Sequence, residues 1–251
     1  MSLLELSSFA PALVMLARVL PVVVLCPWLG AAGAPVMVRL GLSLLLAGWG
    51  AWVSPGFVPS NAWVPALLLE QLSVGSLVGG AAALGCNVAL AAGRWSDLFR
   101  GASAEAINPG TGSRESAGGE LLSRLVVTAM AAGPGLGVTV SVLMHSFRAV
   151  PPGTFQWNEA AVGTWVRASG ELLVAGVSLA APVAAVSLAI EFSFAALARV
   201  APVVSSVELQ APVRLLCGLA MFAFTASEGA ARLVELALDG VVFCAEGALR
   251  P

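Results

Sequence analysis

Long apolar runs, separated by short polar or proline-rich segments, organise this chain. Six stand out, at about 9–29, 36–53, 63–93, 121–147, 170–195 and 212–245. About twenty apolar residues suffice to carry a helix across the hydrocarbon core of a bilayer. The pattern therefore predicts an all-α integral membrane protein of about six long helices, kinked by proline and glycine. The third run is too long for one perpendicular helix, so it tilts, bends or begins in the interface. The first carries Pro11, Pro21 and Pro27. Each removes a backbone hydrogen bond, and such breaks belong against protein rather than lipid. The sixth is long enough to bend back on itself.

The polar positions add orientation. The segment 53–63 has no charge and is flanked by Trp52 and Trp63, residues that favour the membrane–water interface. The segment Gly93 to Arg124 holds Arg94, Arg100, Arg114 and Arg124, the richest basic cluster in the chain. The positive-inside rule assigns it to the cytoplasmic side, and an up-down count then puts the N-terminus, 53–63 and the C-terminus outside. In the sixth run, Glu228, Arg232, Glu235 and Asp239 draw one polar stripe on a helix, with Glu228 and Arg232 spaced as a favourable pair. That stripe is either a solvated interfacial face or a face toward a hydrated path or partner. Gly75 and Gly79, and again Gly133 and Gly137, have the four-residue spacing that lets membrane helices approach closely. "GPGLG" at 133–137 reads as a kink, not a phosphate loop, because Pro134 interrupts it and no strand precedes it.

Composition narrows the class. Of 251 residues, 59% are hydrophobic and 10% charged, against about a quarter charged in soluble domains. The net charge of -2 gives nucleic-acid binding no electrostatic support. All twelve basic residues are arginine. Without lysine there is no Walker-A phosphate loop and no Schiff-base chemistry. Cys26, Cys86, Cys217 and Cys244 lie in apolar stretches without metal-site spacing and read as small buried hydrophobes. His145 is the one histidine, so no histidine-based metal motif can form; it reads as a polar residue near the interface. No catalytic constellation emerges, and no cofactor is expected. The N-terminus lacks the basic start of a cleaved signal peptide, so the first apolar segment is expected to be retained.

Two charges pose the sharpest question. "AIEFSFAALARVAP" at 189–202 places Glu191 and Arg199 in an apolar run. A charge at the bilayer centre costs about 2.5–3.5 kcal/mol, so it marks function or assembly. Eight residues separate them, about 12 Å along a helix, so each needs a partner elsewhere or water.

The surrounding stretch, 179–222, resembles the C-terminal signature of the type III secretion export-apparatus family FliR/SctT. Pro182, Glu191, Arg199, Pro202, Pro212 and Arg214 fall in register without a gap. Arg18, Pro27, Pro35 and Arg39 resemble the family's N-terminal pattern, and Glu70, Gly75 and Gly79 its next element. Asp97, Arg100, Gly101 and Pro109 resemble an Asp-x-x-Arg-Gly element and the polar loop after it, in a form closer to the injectisome SctT branch than to flagellar FliR. Val203, Ser205, Glu208 and Asn108 depart from the family's residues at their positions.

The resemblance implies one export-apparatus membrane domain over 1–251, multi-pass in the bacterial inner membrane, with bent helical hairpins in an oligomeric gate. It implies no enzyme activity. Its implied partners are SctR/FliP-type and SctS/FliQ-type subunits, a SctU/FlhB-type switch protein, unfolded proteins in transit, and membrane lipid. The polar loop at about 98–120 would be a plug, with Gly101, Asn108, Pro109, Gly110, Thr111, Gly112 and Ser113 as its gate residues. Arg18, Glu70, Asp97, Arg100, Glu191, Arg199 and Arg214 would be assembly or hydrated-interior charges. Pro27, Pro35, Gly75, Gly79, Pro182, Pro202 and Pro212 would shape kinks and packing. A flagellar gate subunit, a secondary-transporter subunit and an intramembrane enzyme are the competing readings; the last lacks a constellation, and the transporter lacks the internal repeat it would need.

Overall fold

The computed structural model describes residues 3–30, 34–53, 64–102, 105–107, 114–155, 159–200 and 207–248. Among them the chain forms helices α1 (Leu3–Leu25), α2 (Val36–Val53), α3 (Val64–Arg100), α4 (Ala117–Ala132), α5 (Gly135–Ala149), α6 (Glu159–Val200) and α7 (Val207–Ala248). A short antiparallel ribbon of β1 (Glu105–Ile107) and β2 (Arg114–Ser116) lies between α3 and α4. The expected all-α membrane architecture is present. Val64–Arg100, Val162–Val200 and Leu209–Val242 are long and apolar enough to cross a membrane, and α4 with α5 forms a further, broken candidate.

The kink expected at 133–137 is present: the fourth apolar run is two helices, bent by 70° at residues 133–134. Pro134 caps α5, and its carbonyl accepts the Val138 N–H, so a new helix starts where the old one stops. The sixth run does not bend back. α7 continues for 42 residues, with Pro212 near its start, a length of about 63 Å at 1.5 Å per residue. The loop before α4 contains the β-ribbon, which its small and polar composition did not announce. Ile107 pairs with Arg114 across it.

Proline positions follow from the missing N–H. Pro27 lies just beyond α1 and Pro35 just before α2, so both bound helices rather than kink them. The Pro35 carbonyl accepts the N–H of Val38 at 2.9 Å and of Arg39 at 3.3 Å, opening α2. Pro182 and Pro212 sit inside α6 and α7. Pro202 lies outside the described residues.

The chain divides into two compact units. The first comprises Met1–Leu84, Thr128–Gly170 and Leu236–Pro251. Its core takes Val14, Met15, Val19, Val22 and Val23 from one face of α1, Leu67, Val74 and Val78 from α3, and Leu143 and Phe147 from α5. The second comprises Gly85–Val127 and Glu171–Glu235. Val88, Ala89 and Ala92 of α3, Leu122 and Val126 of α4, Leu172 and Val183 of α6, and Phe222 and Leu233 of α7 are buried in it.

Candidate functional site

Arg18 is fully buried in the first unit. A buried guanidinium must find acceptors for its fork of donors. Nε donates to Gln71 Oε1 at 2.5 Å, Nη1 to the Ser146 carbonyl at 2.6 Å and Nη2 to the Val150 carbonyl at 2.7 Å. The guanidinium also lies 5.1 Å from the Phe147 ring centroid, within cation–π range. One side chain thus ties α1 to α3, α5 and the turn after α5.

Small residues permit this approach. A Cβ added to Gly75 would overlap the Arg18 backbone, and one added to Gly79 would lie 2.8 Å from the Pro21 carbonyl oxygen. The first glycine pair is therefore a true α1–α3 contact. The second is not: among the described residues nothing lies within 4 Å of a Cβ added to Gly137, and Gly133 marks the α4–α5 break. A four-residue spacing places two glycines on one face only when one helix holds both.

The neighbour of Gln71 secures the same turn. The Glu70 carboxylate accepts the Gly153 N–H at 2.9 and 3.0 Å and the Phe155 N–H at 3.0 Å. Gly153 has φ 87, a conformation that favours glycine. Arg18 and Glu70, expected to require outside partners, are engaged within the chain.

A second polar cluster lies in the other unit. Asp97 is buried at the end of α3. One carboxylate oxygen pairs with Arg100, and the other accepts the Gly118 N–H at 2.7 Å, in the first turn of α4. Arg100, 7% exposed, stands over the Phe222 ring with 5.1 Å to the centroid. Gly101 ends α3 with φ +71, and a Cβ there would meet Arg214 Nη2 at 3.1 Å. Arg214 Nη1 in turn donates to Glu191 Oε1 at 2.5 Å. That bond answers for Glu191: its partner is Arg214 on the next helix.

The remaining positions divide. Arg199 is exposed. Asn108, Pro109, Gly110, Thr111, Gly112 and Ser113 lie outside the described residues. The α7 stripe is exposed, opposite buried Phe222, Ala226 and Leu233. Arg232 reaches Glu235 at 3.7 Å rather than Glu228. His145 is exposed. Among the described residues, no three His, Cys, Asp or Glu side chains gather as a metal site would need. Sequence reading missed Gln71, Ser146, Phe147, Gly118 and Phe222. Gln71 alone carried a signal, a polar amide inside an apolar run.

Both clusters bind helices together, and neither arranges a nucleophile with a base. A family described as bacterial export proteins, family 1, matches residues 9–238. The chain belongs to this family. Two proteins called Yop proteins translocation protein T are each 28% identical to it over 185 residues, or 71% of this chain and 71% of the relative. They come from Yersinia pestis and from Yersinia pseudotuberculosis serotype I (strain IP32953). The FliR/SctT resemblance carried by Pro182, Glu191 and Arg214 therefore holds across nearly the whole chain. This family-1 export protein is a membrane component of a bacterial type III secretion export apparatus, and its family is not an enzyme family.

Proposed function

We propose that this chain is a subunit of the protein-conducting gate in the bacterial inner membrane, where it helps pass unfolded proteins across. The observation that carries the reading is the family match from residue 9 to 238. The relatives named for Yop translocation favour the injectisome branch over the flagellar one. The chain works as one export domain with SctR/FliP-type and SctS/FliQ-type subunits, beside a SctU/FlhB-type switch protein. Its polar loop from Gly101 to Gly119 closes the conduit at rest. Energy for transport comes from elsewhere in the apparatus, since the chain has no lysine with which to build a Walker-A loop.

The distribution of exposed side chains supports an assembled state. Val174, Val177, Leu188 and Phe192 of α6, and Leu216, Leu219 and Phe224 of α7, are exposed, while the same α7 presents the charged stripe to its surroundings. Lipid can cover the first set but not the second. Co-expression tests the proposal. With the two smaller subunit types, the chain is expected to purify as a stoichiometric complex. Purification as a well-behaved single chain, unchanged by co-expression, would contradict it.

A further inference from the structure

The polar loop leaves α3 and returns to α4 at a single residue. The backbone carbonyl of Asp97 accepts the Ala102 N–H at 2.9 Å, just after the chain turns at Gly101. Its side chain accepts the Gly118 N–H at 2.7 Å, where the chain re-enters a helix. One residue therefore grips both ends of the loop. The returning end is seated on α3 by absent side chains. A Cβ on Gly93 would overlap the Gly118 backbone, and a Cβ on Gly119 would come 2.7 Å from the Leu90 carbonyl oxygen. Ser116 Oγ accepts the Gly119 N–H at 3.1 Å and closes the same turn.

The charge of Asp97 is used twice. A carboxylate at the start of α4 favours the exposed N–H groups and the positive end of the helix dipole. It also neutralises Arg100, which is held over Phe222 and could not be buried alone. The outgoing end meets a third element, because Arg214, held by Glu191, lies against Gly101.

We propose that Asp97 is a latch that fixes the base of the loop, and that the Glu191–Arg214 pair, lying on Gly101, is where α6 and α7 bear on that base. The latch is defined by geometry alone; its consequence for transport rests on the proposal that the loop closes the conduit. Asp97 is a positioning residue. A shift of α7 relative to α6 would move Arg214 off Gly101, while loss of the Asp97–Gly118 bond would free the returning end.

Hydrogen exchange in the assembled complex tests this. Asp97→Ala removes the acceptor, and exchange at the Gly118 amide should rise about tenfold or more, the worth of one charge-assisted hydrogen bond. Exchange in α1 should not change. Asp97→Asn keeps an oxygen for Gly118 and should retain most of the protection. Should Asp97→Ala not assemble, Gly118→Ala takes its place. Its added Cβ would lie 2.5 Å from Asp97 Oδ1, displacing the carboxylate and giving the same rise. Unchanged exchange in whichever alanine variant assembles would overturn the latch. So would equal exchange in Asp97→Asn and Asp97→Ala, since the lost Arg100 charge pair would then account for the effect. Failure of all three variants to assemble would overturn it too, because Asp97 would then serve the packing of α3 and Arg100 rather than latch the base of a loop. Closed-state conductance separates the two claims: faster exchange with a leak supports both, and faster exchange without a leak keeps the latch and removes the loop from the closure.

Discussion

At the scale of single residues, the sequence announced the unusual charges but not their company. Arg18 stood out because an apolar run surrounded it. Its acceptors did not, because they include backbone carbonyls, at Ser146 and Val150, which every sequence supplies. Glu191 was legible as a residue needing a partner, and Arg214 belonged to the same motif; that the two would meet required the α6 and α7 geometry. Replacing Arg18 by alanine strands buried carbonyls and Gln71 and leaves a cavity, at an expected cost of roughly 3–5 kcal/mol. Arg18→Lys should be intermediate, since one ammonium cannot span acceptors spread over α3, α5 and the turn after it. Thermal midpoints and yields of the purified complex measure both, and a wild-type Arg18→Ala variant would show the cluster to be dispensable. The Glu191–Arg214 pair is partly exposed, so a double-mutant cycle with alanine should give a coupling of only about 0.5–1 kcal/mol. A coupling near zero would mean that water serves either side chain equally well.

At the scale of elements, long apolar runs located the helices, whereas their ends needed local chemistry. Pro27 and Pro35 look like interior kinks only while the boundaries of the first two runs are unknown. The break at Gly133 and Pro134 was readable because glycine and proline each weaken a helix, yet the angle depends on how α5 packs. The β1–β2 ribbon was invisible, since its strands are three residues long and offer no period to detect. Gly75 and Gly137 belong to two identical-looking motifs, and the structure gives them opposite weights. Gly75→Ala drives a methyl into the Arg18 backbone and should cost about 1–3 kcal/mol, as overpacking does. Gly137→Ala enters open space and adds helix propensity, so it should be neutral or slightly stabilising. Parallel melting curves of the two variants decide the matter; equal loss in both would mean that the spacing itself, not the α1–α3 contact, carries the effect.

At the scale of the whole molecule, the family was legible from a few widely spaced residues, because prolines and charges in apolar helices are costly and keep their register. The proposed closure was less so. Ala102 and Gly118 are held by Asp97, but composition gave only a polar segment between apolar ones. The broad exposed apolar faces of α6 and α7, together with the charged stripe of α7, predict that the chain expressed alone aggregates or is degraded, and that the smaller subunit types rescue it. Immunoblots of membrane fractions with and without those subunits check this, and full recovery of the solitary chain would count against it. The central claim is that the polar loop shuts a conduit formed with partner subunits. Deleting Asn108–Ser113 joins Ile107 directly to Arg114, which undoes their pairing and shortens the loop, while Asp97 and Gly118 are both kept. Single-channel recording of the reconstituted complex, at matched assembly, should then show a raised closed-state conductance to ions; a conductance equal to that of the intact complex would contradict the account.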